Sequence, residues 1–224
     1  ATPALAATVV ASYSPTCIVH PLVGHRLLRE DLRQIQELTP RADAVAIGPG
    51  LGDVEGTLEA VREVVRNLSI PIVIDADGIK AVAGDPKCLA GKRAVLTPHS
   101  REFQTLTGKS LPDAPEERGE IVRDTAKSLG ATILLKGPVD IVTDGTRLKF
   151  NYTGNPGMTA GGTGDVLCGL TAGLIAKGMA LYDAARLAAF ANGAAGDIAF
   201  KEKSYGLTAV DVADNLGRVL AKFL

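Results

Sequence analysis

The stretch IPIVIDADG, Ile70 to Gly78, decides the fold. Its β-branched run carries no alternation of apolar and polar residues, so a strand here is covered on both faces. It ends in two acids and a glycine. Three further stretches share this form: DAVAIGPG (43–50), AVLTPH (94–99) and TILLKG (132–137). Each is aliphatic and ends in Gly, Pro or a polar residue. Between them lie helical patterns. In GTLEAVREVVRNL, the residues Leu58, Val61, Val65 and Leu68 recur at spacings of three and four and share one face. EERGEIVRDTAKSL repeats the device with Ile121, Val122, Thr125 and Leu129.

Strand and helix in alternation predict a three-layer α/β/α fold, a mainly parallel central sheet with helices on both faces. VDIVTDGTRLKFNY (139–152) differs, because its TDGT reads as a tight turn and predicts an antiparallel hairpin. Helices are expected at 165–177, 183–200 and about 209–223. No linker divides the chain, so residues 1–224 are read as a single domain.

The totals set outer bounds. A chain of 224 residues, 46% of them hydrophobic, can bury a sizeable core. With 24 basic and 25 acidic residues, it has no electrostatic footprint for nucleic acid or an anionic membrane. Cys17, Cys88 and Cys168 are too scattered for a disulfide framework or a zinc site, which suits a reducing cytoplasm. No apolar run reaches the roughly 18 residues a membrane span needs. The apolar N-terminus, ATPALAATVVASYSP, lacks a basic leader and is not read as a signal peptide.

Ligands of such sheets gather at the carboxyl ends of the strands. Those ends carry GPGLG, DADG, TPHSRE and KGPVD. TLTGKS is not a Walker loop, because Phe103 stands where the first glycine is required. GPGLGD places Asp53 where a Rossmann fingerprint needs its third glycine. Gly50 and Gly52 either admit a ligand close to the backbone or simply turn the chain.

The stretch NPGMTAGGTGDVLCG (155–169) carries more. Successive glycines can aim backbone N–H groups at one point, and a helix starting near Asp165 adds free donors and partial positive charge. The bland alternative is a turn followed by a capping Asp. Capping alone does not call for Gly161, Gly162 and Gly164 together.

NPGMTAGGTGDVLCGLTAGLIAKG, with AIGPGLG, PIVIDADG, LTPHSREF and LLKGPVDIVTDG in the same order, resembles the ADP- or ATP-dependent NAD(P)H-hydrate dehydratases of the ribokinase-like superfamily. The resemblance implies a repair enzyme. It would phosphorylate the hydroxyl of hydrated NADH or NADPH (NADHX, NADPHX) from a nucleotide, with Mg2+, and then eliminate phosphate. It also implies roles for particular residues. Asp165 would be the catalytic base and touch substrate. Gly161, Gly162, Thr163 and Gly164 would hold the phosphoryl group. Lys136, Gly137, Pro138, Val139 and Asp140 would contact the nucleotide, although an ordinary exposed lysine at a strand end is the plainer view of Lys136. Gly50 and His99 would face the substrate, and Glu102 would reach Mg2+ through water. Asp75 and Asp77 are weaker candidates on the same rim.

Arg101 departs from the pattern, standing where the family has glycine. Compared with the family, the usual N-terminal strand and first helix are expected to be missing before Ala1, which makes the sequence either a fragment or one with a divergent start. A homo-oligomer, tetrameric in many members, is a further expectation. Leu216, Val219, Leu220 and Phe223 could serve a core or an interface. Two other readings stay open: a kinase of a vitamin-precursor alcohol, and a non-catalytic nucleotide-binding protein.

Overall fold

The computed structural model describes residues 1–222; Phe223, expected on the last helix, lies outside them. In chain order the elements are β1 (Thr2–Pro3), α1 (Ala4–Tyr13), β2 (Pro21–Leu22), α2 (Leu32–Leu38), β3 (Val45–Ile47), α3 (Glu55–Asn67), β4 (Ile72–Ile74) and α4 (Asp77–Gly84). They continue as β5 (Ala94–Leu96), α5 (Ser100–Thr107), α6 (Pro115–Leu129), β6 (Thr132–Leu135), β7 (Asp140–Thr143), β8 (Leu148–Asn151), α7 (Thr163–Ala176), α8 (Leu181–Lys203) and α9 (Ala209–Leu220).

A six-stranded sheet runs in the order β3-β4-β5-β6-β7-β8, and β1 and β2 form a separate parallel pair. The first four strands of the large sheet are parallel. The expected hairpin is present: β7 is antiparallel to both β6 and β8. Strand order follows chain order, so the rim loops sit side by side in the order they occur in sequence.

The period of two along each strand divides the core. Ile72, Ile74, Ala94 and Leu96 face α3 and α4, while Ile133, Leu135 and Ile141 face α5 and α6. Val73, Val95, Leu134 and Val142 point the other way, onto α7 and α8. Together these give helix, sheet and helix layers. On α3, Val61 and Val65 are fully buried, as the helical spacing predicts. The C-terminal helix resolves the choice left by its sequence: Val219 is buried against α8, with Leu216 and Leu220 packed beside it in the core. Gly108 of TLTGKS has φ 71° and stops α5, so the stretch is a helix end.

Candidate active site

Four rim loops and the start of α7 make the site. GPGLG follows β3 and is held to DADG by backbone contact. A Cβ on Gly48 would sit 1.7 Å from the Asp75 carbonyl oxygen, and Gly48 has φ 130°, so only glycine fits. The Gly52 N–H donates to Asp77 Oδ2 at 2.8 Å, and Lys80 bridges Asp77 and Asp53. Within DADG, Ala76 has a positive φ of 46°, a strained conformation of the kind that clusters at working sites. Gly50 is exposed, and a Cβ there would meet nothing within 4 Å.

On the next strand end, His99 caps α5. Its Nδ1 accepts from the N–H groups of Arg101 (3.1 Å) and Glu102 (3.2 Å), while Glu102 Oε2 accepts from the His99 N–H at 2.8 Å. With Nδ1 an acceptor, the proton of the neutral ring is on Nε2. Nε2 lies 3.5 Å from Glu102 Oε1, on a side chain 52% exposed. The reciprocal cap fixes the ring and leaves its outer edge open to a ligand.

Lys136, at the end of β6, reaches across the rim. Its Nζ donates to Asp75 Oδ1 at 2.6 Å and stands 3.8 Å from Glu102 Oε2. The Asp75 side chain is 1% exposed and that of Lys136 19%, so the pair is sunk in the wall. The plain view of Lys136 as an exposed strand-end lysine does not hold. Asp140, read as a nucleotide contact, turns inward: it accepts from the Gly137 N–H at 3.0 Å and from Asn151 Nδ2 at 3.0 Å. Burial is the main reason its carboxyl is held above the usual range. Asp140 closes the 136–140 loop from within and leaves Gly137 and Pro138 exposed at its crest.

The glycine turn faces this wall. Gly162, with φ 91°, caps α7, which therefore begins at Thr163, two residues before the expected start. The single Thr163 hydroxyl proton is shared between the carbonyls of Met158 (2.7 Å) and Ala160 (3.0 Å), so the N–H is the donor Thr163 has left for a ligand. Among the described residues, the N–H groups of Gly161 to Gly164 have no hydrogen-bond partner. A Cβ on Gly164 would lie 3.4 Å from Lys136 Nζ and 4.0 Å from Asp75 Oδ2. Free amides, a helix N-terminus and an ammonium group thus meet at one place.

Asp165 follows on the first turn of α7, an exposed residue whose side chain makes no hydrogen bond or ion pair among the described residues. Partial burial of its carboxyl raises its pKa, the negative charge of Asp75 adds to this, and Lys136 opposes it. A carboxylate that binds protons more readily than usual, with no partner, is suited to act as a base. The nearby Cys168 thiol is pushed up to about 12, chiefly by burial, and is inert.

Sequence reasoning passed over the residues that brace the turn. Asp197, on α8, accepts from the Gly154 N–H and from Asn155 Nδ2. No motif marks it, because its partners lie more than forty positions away. The donor set also bears on Mg2+. Among the described residues, no three acids, histidines or cysteines form a metal cluster; Asp75 and Glu102 both face Lys136, which leaves Asp165 as a lone carboxylate beside the turn. These carboxylates do not fit a direct protein-held ion.

The family model described as NAD(P)H-hydrate dehydratase matches residues 1–218. A bifunctional NAD(P)H-hydrate repair enzyme Nnr of Pyrobaculum aerophilum is 44% identical over 225 residues, covering 100% of this chain and 44% of that protein. The chain thus spans less than half the length of that relative. An ADP-dependent (S)-NAD(P)H-hydrate dehydratase of Cenarchaeum symbiosum is 36% identical, covering 100% of this chain and 78% of the relative. Among solved structures, the ADP/ATP-dependent NAD(P)H-hydrate dehydratase of Bacillus subtilis, co-crystallised with ATP/Mg2+ and soaked with CoA, superposes with TM-score 0.69 at 30% identity, covering 81% of this chain and 67% of that one. A ribokinase-like protein of Enterococcus faecalis, at 23% identity and TM-score 0.78 over 96% of this chain and 73% of its own, shares the fold.

Proposed function

Because the chain belongs to the NAD(P)H-hydrate dehydratase family, we propose that it restores NADH and NADPH from their hydrates at the expense of ADP or ATP. The observation that carries this reading is the unpartnered Asp165 carboxylate beside the free amides of Gly161 to Gly164.

Asp165 takes the proton of the hydrate's hydroxyl as that oxygen attacks the terminal phosphorus of the nucleotide. The bond from that phosphorus to the nucleotide's bridging oxygen breaks. The amides of 161–164 and the Lys136 ammonium take up the charge on the phosphoryl oxygens. The ring C–O bond then breaks, phosphate leaves, and loss of a proton from the adjacent ring carbon restores the double bond. Gly50 and His99 would face the ring, while the crest at Gly137, Pro138 and Val139 would meet the nucleotide. Asp140 acts indirectly, by holding that crest. Mg2+ would neutralise phosphate charge and would arrive on the nucleotide, with Glu102 meeting its water shell; no step above depends on it.

A homo-oligomer belongs to the same reading, supported by exposed apolar side chains at Leu5, Val9, Tyr13, Ile18 and Val23; sedimentation tests it. Three free thiols support a cytoplasmic setting. Among the described residues, no helix is long and apolar enough to cross a membrane.

The deciding assay supplies hydrated NADH or NADPH with ADP or ATP and Mg2+, and follows the absorbance of the regenerated dihydronicotinamide. Recovery supports the proposal. Nucleotide consumption with a stable phosphorylated alcohol favours a kinase, and binding without turnover removes the enzyme.

A further inference from the structure

A cleft of about 290 Å3 opens between the start of α5 and the start of α6, on the sheet face opposite α7. Ser100, Arg101, Gln104, Ser110, Asp113 and Arg118 line it. Arg118 Nη2 donates to Ser100 Oγ at 3.0 Å, and its Nε is buried with no acceptor. Arg101 is exposed, on the first turn of α5. Among the described residues, no carboxylate pairs with either guanidinium, although Asp113 lies in the same cleft. Arg123, on the same helix as Arg118, is paired with Glu120. Two unneutralised guanidinium groups converging on a polar concavity are a donor set for an anion, and their planar forks match phosphate oxygens.

Position gives the cleft its meaning. Arg118 Nη2 is 3.6 Å from where a Cβ would stand on Gly137, the crest of the 136–140 loop. On the other side of that loop, Lys136 reaches the glycine turn. Ser100 and Arg101 directly follow His99. The cleft therefore adjoins both proposed ligand positions while lying apart from the phosphoryl-transfer turn.

We infer that the Ser100–Arg101–Arg118 cleft is a second phosphate site, one that grips a phosphate which is not transferred. This rests on the proposed function, whose ligands each carry such groups. The dinucleotide hydrates have a pyrophosphate, NADPHX adds a 2′-phosphate, and the donor nucleotide keeps its inner phosphates.

Calorimetric titration separates these sources without needing turnover. Wild type, Arg101→Ala, Arg118→Ala and Arg118→Lys are each titrated with ADP, NADH hydrate and NADPH hydrate, with Arg123→Ala as a surface control. Each alanine substitution is expected to weaken one ligand class by about tenfold to a hundredfold, the effect of losing a charge-assisted hydrogen bond. Loss confined to NADPH hydrate assigns the 2′-phosphate, equal loss for both hydrates the pyrophosphate, and loss for ADP the donor. Arg118→Lys keeps the charge without the fork, should fall between, and carries the test with Arg101→Ala if Arg118→Ala does not fold. Affinities within twofold of wild type for all three ligands, in variants that melt like wild type, would overturn the inference. In the separate turnover assay with hydrate, ADP or ATP and Mg2+, wild type that binds these ligands yet regenerates no dihydronicotinamide would instead sink the dehydratase reading and leave the cleft standing.

Discussion

Replacing Lys136 with Met tests the wall of the site. The substitution keeps the apolar stem and removes the ammonium that lies 2.6 Å from Asp75 Oδ1. Asp75 is 1% exposed and has no other side-chain partner among the described residues, so water cannot take the place of the lost donor. Breaking a fully buried pair costs about 3–5 kcal/mol. Because the Lys136 side chain is 19% exposed, the lower end applies, discounted to about 2–3 kcal/mol. In a domain of this size, about 1 kcal/mol moves the melting temperature by roughly 2–4 °C, so a fall of about 5–10 °C is expected. Asp75→Asn combined with Lys136→Met removes the stranded charge and should recover at least half of the loss. A double-mutant cycle from urea unfolding at pH 7 should give a coupling of about 1–3 kcal/mol. A Lys136→Met protein melting within a degree or so of wild type, or a double variant no more stable than the single one, would refute the claim that this pair braces the wall of the site.

Asp165→Asn should lower kcat by about 10²–10⁴-fold while ADP affinity stays within twofold; unchanged turnover would remove Asp165 from the chemistry. Since partial burial and Asp75 raise the Asp165 pKa, the acid limb of kcat/KM should lie above the ordinary carboxylate range, and Asp75→Asn should move it to lower pH. A limb that stays put or moves upward would contradict the assigned cause. The same sign governs stability: a raised folded-state pKa means the ionised form at neutral pH is a cost, so Asp165→Asn should melt no lower than wild type at pH 7. Gly48→Ala would drive a Cβ into the Asp75 carbonyl and should destabilise by about 4 kcal/mol or more, visible as lost soluble yield; a well-folded Gly48→Ala protein would show that the two loops can separate.

Much of this architecture can be read from local pattern. Aliphatic runs at 72–74, 94–96 and 133–135 read as strands covered on both faces, and TDGT reads as a tight hairpin turn. The glycine turn was legible for the same reason, since its chemistry is contained in five consecutive residues. Partnerships across the sheet were not. Asp75 and Lys136 are 61 residues apart, and nothing near either one announces the other. The resemblance makes Asp140 a nucleotide contact and His99 a substrate contact, while their first bonds in the fold are to their own loops, to Gly137 in one case and to the α5 amides in the other. Composition indicates which groups reach the rim. Which of them a ligand finds unoccupied depends on distances that only the folded chain sets.

The separation of Asp75 from Lys136 also has a consequence in time. On the ribosome, 61 residues take about 3–12 s to translate. For that interval the most buried acid of the rim has been made without its counter-ion. The Asp75–Lys136 pair therefore closes only after β6 has been made, when a cation made a quarter of the chain later reaches back to an acid made first.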